Sequence, residues 1–239
     1  MATERTAFAR LKGLDSTRLV QVAGRLAKVT FGLNSDMRVF GLHRQPPPFT
    51  LNVVQRRPRK VTRFDDEQGK LVTEERIEDR LYSFAIDAVA GIVSTPGGRR
   101  DLSVLLALLK TCGATDAELL DLGVELLPWV KEFTRMHEHA QLGQVVVDQF
   151  FVEPRLIGRF SAKTADNRID MKFLEEHGSR LRSIRLSFFE EGLRKSVEAR
   201  SDGVIAVSSS DEDELEHFTE QQHKLFLKHS APREERRER

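Results

Sequence analysis

The sequence predicts an α+β protein: a small N-terminal α/β segment, a helical middle, and a C-terminal antiparallel meander closed by an amphipathic helix. Three observations carry that expectation. Apolar residues recur at helical spacing through the middle of the chain. From Gly143 onward the apolar runs shorten and the period drops to two. Ser209-Ser210-Asp211-Glu212 then places a helix start after the last of these runs.

In chain order, Ser16 to Lys28 puts Leu19, Val20, Ala23 and Leu26 on one helical face, with Asp15 or Ser16 as cap. Met37 to Leu42 and Phe49 to Val54 read as short strands. Pro46-Pro47-Pro48 separates them as a stiff connector, because its locked φ angles continue neither element. Val61 to Phe64 is a further short strand, and Lys70 to Val72 pairs back across the polar turn Asp65-Asp66-Glu67-Gln68-Gly69.

The helical middle follows. Thr73 caps a helix with Glu74 and Glu75 at its positive end, and Ile77, Leu81, Phe84, Ala88 and Ile92 recur at its period. Pro96-Gly97-Gly98 ends it. Asp101 starts the next helix, through Leu102, Leu105, Leu106 and Leu109 to Gly113. Thr115-Asp116-Ala117-Glu118 reads as a capping box opening a third. Pro128 kinks that helix or begins a separate one reaching His139.

In the last third, Val145 to Phe151, Leu156 to Ala162, Ile169 to Leu174, Leu181 to Phe189, Leu193 to Arg200 and Val204 to Ser208 read as strands. Ile169, Met171 and Phe173 alternate with Asp170 and Lys172, the pattern of a strand wet on one face. Ser201-Asp202-Gly203 is a hairpin turn, and Leu215, Phe218, Gln222, Leu225 and Phe226 line the closing helix. The domain organisation that follows is an N-terminal α+β region with the helical middle over 1–142, a sheet plus helix over 143–229, and a disordered tail over 230–239, rich in arginine and glutamate.

Composition narrows the function classes. The 38 Lys and Arg against 37 Asp and Glu leave a formal charge of +1, so binding to a polyanion requires a local patch. A single cysteine, Cys112, closes no intrachain disulfide and reads as a small buried hydrophobe. With polar sequence after Met1 and no run of about 18 apolar residues, the expectation is a cytoplasmic protein with no membrane partner.

No phosphate-loop, dinucleotide, nucleophile-elbow or HExxH signature is present. Thr95-Pro96-Gly97-Gly98-Arg99-Arg100-Asp101 leads into a helix start but follows a predicted helix, so it reads as an interhelical turn more than an anion site. His137 and His139 sit two apart, pointing about 200° from each other on a helix, and predict no metal centre. No cofactor is expected. Asp65-Asp66-Glu67 and Asp211-Glu212-Asp213-Glu214 belong to a turn and a helix start.

The segments that do point somewhere are basic. Arg56, Arg57, Arg59 and Lys60, with Arg63 nearby, cluster around Pro58, where extended backbone spreads cations along a surface. Arg180, Arg182 and Arg185 form a second group beside one strand of the meander, either binding an anion or pairing with Glu175, Glu190 or Glu198. Phenylalanine supplies 15 of the 17 aromatic residues, which suits a core as well as a stacking platform.

The leading expectation is therefore a non-catalytic binding or scaffold protein whose basic surface engages nucleic acid or an acidic protein partner. One alternative is a metal-dependent hydrolase or nuclease with a site assembled from sequence-distant residues. Another is a structural subunit of an oligomer or larger complex.

Overall fold

The computed structural model describes residues 1–32, 35–43, 48–67, 69–153, 156–163 and 170–230. The expected connector Pro46-Pro47-Pro48 and the tail beyond Ser230 fall wholly or partly outside these residues. The expected helical middle is overturned: the chain is 50% strand and 28% helix, so helices are the minor element. Two compact units are formed, one from 1–10, 96–102 and 119–239, the other from 11–95 and 103–118.

The first unit is an antiparallel sheet. Its strands are β1 (Ala2–Lys12, to residue 10), β7 (Gln141–Glu153), β8 (Leu156–Ala162), β9 (Leu181–Glu190), β10 (Leu193–Arg200) and β11 (Val204–Ser209), and they run in the order β1-β11-β10-β9-β7-β8. The N-terminal segment, polar to the eye, is a strand because Ala7, Phe8 and Ala9 are all buried. Helices α3 (Leu126–Met136) and α5 (Leu215–Lys228) supply Trp129, Phe133 and Phe226, all fully buried, to its core. Burying each such side chain contributes about 1.5–3 kcal/mol.

Pro128 occupies the first turn of α3, where its missing N–H leaves no bond unmade. The Ser201-Asp202-Gly203 turn joins β10 to β11 as expected. Gly203 has φ +93°, and a Cβ there would lie 2.5 Å from the Phe8 carbonyl oxygen, so both backbone freedom and close approach require glycine. The segment expected as a strand around Met171 is instead α4 (Met171–Glu176), because the Asp170 carboxylate accepts from the Phe173 amide at 3.1 Å and caps a helical turn.

In the second unit, β2 (Met37–His43), β3 (Phe49–Asp65), β4 (Lys70–Asp87) and β5 (Ile92–Pro96, to residue 95) form an antiparallel sheet in that order. Helix α1 (Ser16–Leu26) is capped by Asp15, whose carboxylate accepts from the Arg18 amide at 2.7 Å. Its Leu19 lines a small cavity together with Phe49 and Ile86 of the sheet. Helix α2 (Arg99–Thr111) gives this unit Leu105, Leu108 and Leu109, all buried.

The long strand β4 is where the helical expectation fails. A spacing of four residues, as between Ile77 and Leu81, shares a face in a helix and in a strand alike. What decides is the partner: β4 pairs with β3 rung by rung from Phe49↔Ile86 to Asp65↔Lys70 without a register shift. Tyr82, Phe84 and Ile86 then alternate into the core. The capping box at Thr115 opens no helix either: Thr115 and Asp116 form a turn that leads into the short strand β6 (Glu118–Asp121), and the Asp116 carboxylate is engaged in an ion pair with Arg18. Among the described residues no helix is long and apolar enough to cross a membrane.

Candidate functional site

The strand pair β3–β4 changes character along its length. At its base, Leu51, Val53, Tyr82 and Phe84 are buried, and Gln55 joins the two strands by accepting from the Tyr82 hydroxyl at 3.3 Å. The Gln55 amide donates to Asp36 at 2.8 Å. Beyond this point β2 and β5 have ended, since their last rungs are Met37↔Gln55 and Ala85↔Ser94. From Arg56 to Phe64 and from Leu71 to Leu81 no residue is buried. The result is a two-stranded ribbon, about 34 Å from the Val54/Leu81 rung to the Phe64/Leu71 rung at strand rise, along which no residue is buried beyond Gln55 and Tyr82.

Its two faces differ. Directly opposed residues share a face, so one carries Val54/Leu81, Arg56/Asp79, Pro58/Ile77, Lys60/Glu75, Thr62/Thr73 and Phe64/Leu71. Phe64, Leu71, Ile77 and Leu81 on this face are 58%, 69%, 74% and 64% exposed, in apolar rungs interspersed with charged and polar ones. The opposite face carries Arg57/Glu78, Arg59/Arg76, Val61/Glu74, Arg63/Val72 and Asp65/Lys70, and is largely charged.

The first predicted cation cluster is held on this ribbon, and carboxylates of β4 stand against it. Arg56 reaches Asp79 at 3.3 Å and lies over the Phe31 ring at 3.9 Å. Arg59 reaches Glu78 at 3.3 Å, and Arg63 reaches Glu74 at 2.6 Å. Arg57 donates to Gln55 at 2.8 Å, and Lys60 faces Glu75 in register. Hydrogen bonds from Arg63 and then Arg76 hold the Glu74 carboxyl below the usual range. Between Arg56 and Leu81 there are eight basic and seven acidic residues, so the ribbon is nearly neutral. Being exposed, these pairs fix register and partner choice more than stability.

The second predicted cluster does not converge on a common point. Arg182 pairs at 2.8 Å with Asp202, which Arg200 also holds at 2.7 Å. Arg185 pairs with Glu198, one of the three carboxylates named for it. Arg180 lies at 3.0 Å from the His177 Nδ1 and donates to the Gln149 carbonyl at 3.3 Å.

Other sequence features resolve as structure. The glycine-rich turn at Gly97-Gly98 follows the strand β5 and not a helix; Gly97 donates to the Arg5 carbonyl at 2.6 Å and Gly98 to the Asp101 carboxylate at 3.4 Å. His137 stacks on Phe188 at 4.0 Å while His139 is exposed, so the two do not share a ligand position. Burial lowers the His137 pKa and raises that of the Cys112 thiol, which is 4% exposed. Among the described residues no group of three or more His, Cys, Asp or Glu could hold a metal ion. A cavity of about 660 Å³ beside the start of α3 is lined by Glu125, Glu175 and Glu176 among others, and Lys131 engages Glu175 at 2.6 Å.

The residues missed from sequence are Pro58, Phe64, Leu71, Ile77 and Leu81, together with the β4 carboxylates. A signal was present. Counting outward from the Asp65–Lys70 turn, Lys60, Arg57 and Arg56 of β3 meet Glu75, Glu78 and Asp79 of β4 at matching positions, which is the register of a hairpin and not a charge pattern of a helix start. No protein-family model matches the chain, and no curated protein matches it.

Proposed function

We propose that the chain is a non-catalytic binding or scaffold protein that engages a protein partner through the β3–β4 ribbon. One observation carries this reading: the ribbon leaves Phe64, Leu71, Ile77 and Leu81 exposed on a single face while its other face is charged. A two-stranded hairpin is at best marginally stable in water, and three or more strands or a packed layer are the usual support. A partner laid on the apolar face supplies that layer.

A protein is favoured over nucleic acid as the occupant because Arg56, Arg59 and Arg63 already have carboxylates within 3.3 Å. Phosphates would have to displace those carboxylates and would meet their charge, whereas a protein surface with alternating charge accommodates both signs. The test is a pull-down with the full chain from its native cell, with and without nuclease, repeated with Ile77→Asp. A protein captured in both arms and lost with Ile77→Asp is the expected result. Capture that nuclease abolishes would overturn the reading in favour of nucleic acid.

A further inference from the structure

Resting on the ribbon as a protein-docking surface, the geometry points to its occupant: we propose a second copy of this chain, laid face to face so that β3 of each copy lies over β4 of the other. On the apolar face the rungs follow a fixed order, Val54/Leu81, Arg56/Asp79, Pro58/Ile77, Lys60/Glu75, Thr62/Thr73 and Phe64/Leu71. In both charged rungs the cation is on β3 and the carboxylate on β4. That asymmetry selects one symmetry operator.

A two-fold axis parallel to the strands, midway between two such faces, exchanges left and right and keeps height along the ribbon. Arg56 then faces the partner's Asp79, Lys60 the partner's Glu75, Pro58 the partner's Ile77, and Phe64 the partner's Leu71. Every charged rung meets its opposite and every apolar rung meets an apolar one, at the roughly 10 Å separation of packed sheets. The interface is isologous, as two-fold interfaces are.

The other two-fold arrangements leave the charged rungs without their complements. An axis across the strands lays β3 on β3 with height reversed, so in no register does Arg56 or Lys60 face a carboxylate directly. An axis normal to the ribbon joins the open edges β3 to β3 or β4 to β4, aligning cations with cations or carboxylates with carboxylates, which is destabilising. Pro58 further guards the β3 edge, since it offers no N–H for an added strand. The ribbon's footprint, about 34 Å by two strands, is smaller than a standard interface of about 1,600 Å², so the association is reversible and concentration-dependent.

The experiment is analytical ultracentrifugation of the full chain from about 1 to 100 μM, spanning the weak end of specific affinities. The native chain is expected to move from monomer to dimer, and Ile77→Asp to weaken the dimer by at least about tenfold, roughly 1.4 kcal/mol. Two charge exchanges test the operator. Arg56→Glu with Lys60→Glu, and separately Glu75→Lys with Asp79→Lys, should each weaken self-association. An equimolar mixture of the two should restore a dimer, because each altered strand then meets its complement. A native chain that stays monomeric, a dimer indifferent to Ile77→Asp, or a mixture that does not recover would overturn the proposal.

Photo-crosslinking from position 77 in the native cell separates its failure from that of the underlying reading. A crosslink to a different protein keeps the ribbon as a docking surface and overturns the second copy. No crosslink at all overturns both.

Discussion

Ile77 stands directly opposite Pro58 in the β3–β4 ladder, and the register passes through this rung without a bulge. A proline in an unbroken ladder directs its ring nitrogen to the open edge, so Pro58 marks β3 as an edge strand there. Ile77, 74% exposed, therefore packs on little besides its cross-strand neighbour.

The outer ribbon should consequently contribute little to folding. Ile77→Asp is expected to change unfolding stability by less than about 0.5 kcal/mol. Phe84→Ala, seven residues along the same strand but 2% exposed, should cost about 3–5 kcal/mol. Urea denaturation of the two variants checks the contrast, and a large loss from Ile77→Asp would mean that the ribbon is part of the core.

The basic cluster gives a second test. Replacing Arg56 and Arg59 with alanine should change nucleic-acid affinity at low salt and its salt slope little, since Asp79 and Glu78 already stand 3.3 Å from these cations. Fluorescence anisotropy with duplex DNA, single-stranded DNA and RNA reads this out. A uniform fall in affinity with a flatter salt slope would reinstate phosphate contacts.

In the core beneath α5, the Gln222 side chain is fully buried, and neither its amide nitrogen nor its oxygen has a hydrogen-bond partner among the described residues. An unpaired buried amide costs about 1–3 kcal/mol. Gln222→Leu, similar in size, should thus raise stability by about 1 kcal/mol or more. A calorimetric scan showing a lower Tm would contradict it.

Two histidines set an acid limit. Burial lowers the pKa of His137 against Phe188 and of His223 against Phe8, where the ring centroids are 5.1 Å apart; Glu190 and Glu4 respectively oppose the shift. A base whose folded pKa lies below its unfolded value of 6.5 leaves the unfolded chain to take up protons first. Its contribution is full above that value and is lost as pH falls toward the folded pKa. Glu190, held down by its hydrogen bond from Lys195, and Glu132, held by Lys228 and His229, act in a lower window, below the ordinary 4.5. Stability should therefore decline below pH 6.5 before the carboxylates titrate. His137→Phe with His223→Leu should flatten that first decline, as urea unfolding at several pH values would register.

Much of the fold was legible where one period fitted alone. The α2 leucines and the Asp-Gly hairpin follow their local patterns, because turn and periodicity agree there. In α1, Leu19, Ala23 and Leu26 are buried as expected, but Val22 takes the place of Val20, which is 63% exposed. The closing helix buries the expected Leu215, Phe218, Gln222, Leu225 and Phe226 but starts at Leu215, with no side-chain cap from segment 209–212. Residues 73–92 were not legible as a strand, since Ile77 and Leu81 satisfy both periods and Glu74 and Glu75 resemble a helix start. Only pairing with β3, a non-local event, decides between them. The candidate site failed for the same reason. Arg56, Arg59 and Arg63 read as a free basic patch while Asp79, Glu78 and Glu74 were assigned to a helix, and the hairpin register puts the two sets in contact.

The most direct test of the ribbon's apolar face as a docking surface compares the two faces in one experiment. A photo-reactive amino acid is placed at positions 71 and 77 on the apolar face, and at positions 59 and 78 on the charged face, in the full chain in its native cell. The expected result is nuclease-resistant protein crosslinks from positions 71 and 77 and few from 59 and 78. Crosslinks of equal yield from both faces, or from the charged face alone, would contradict it.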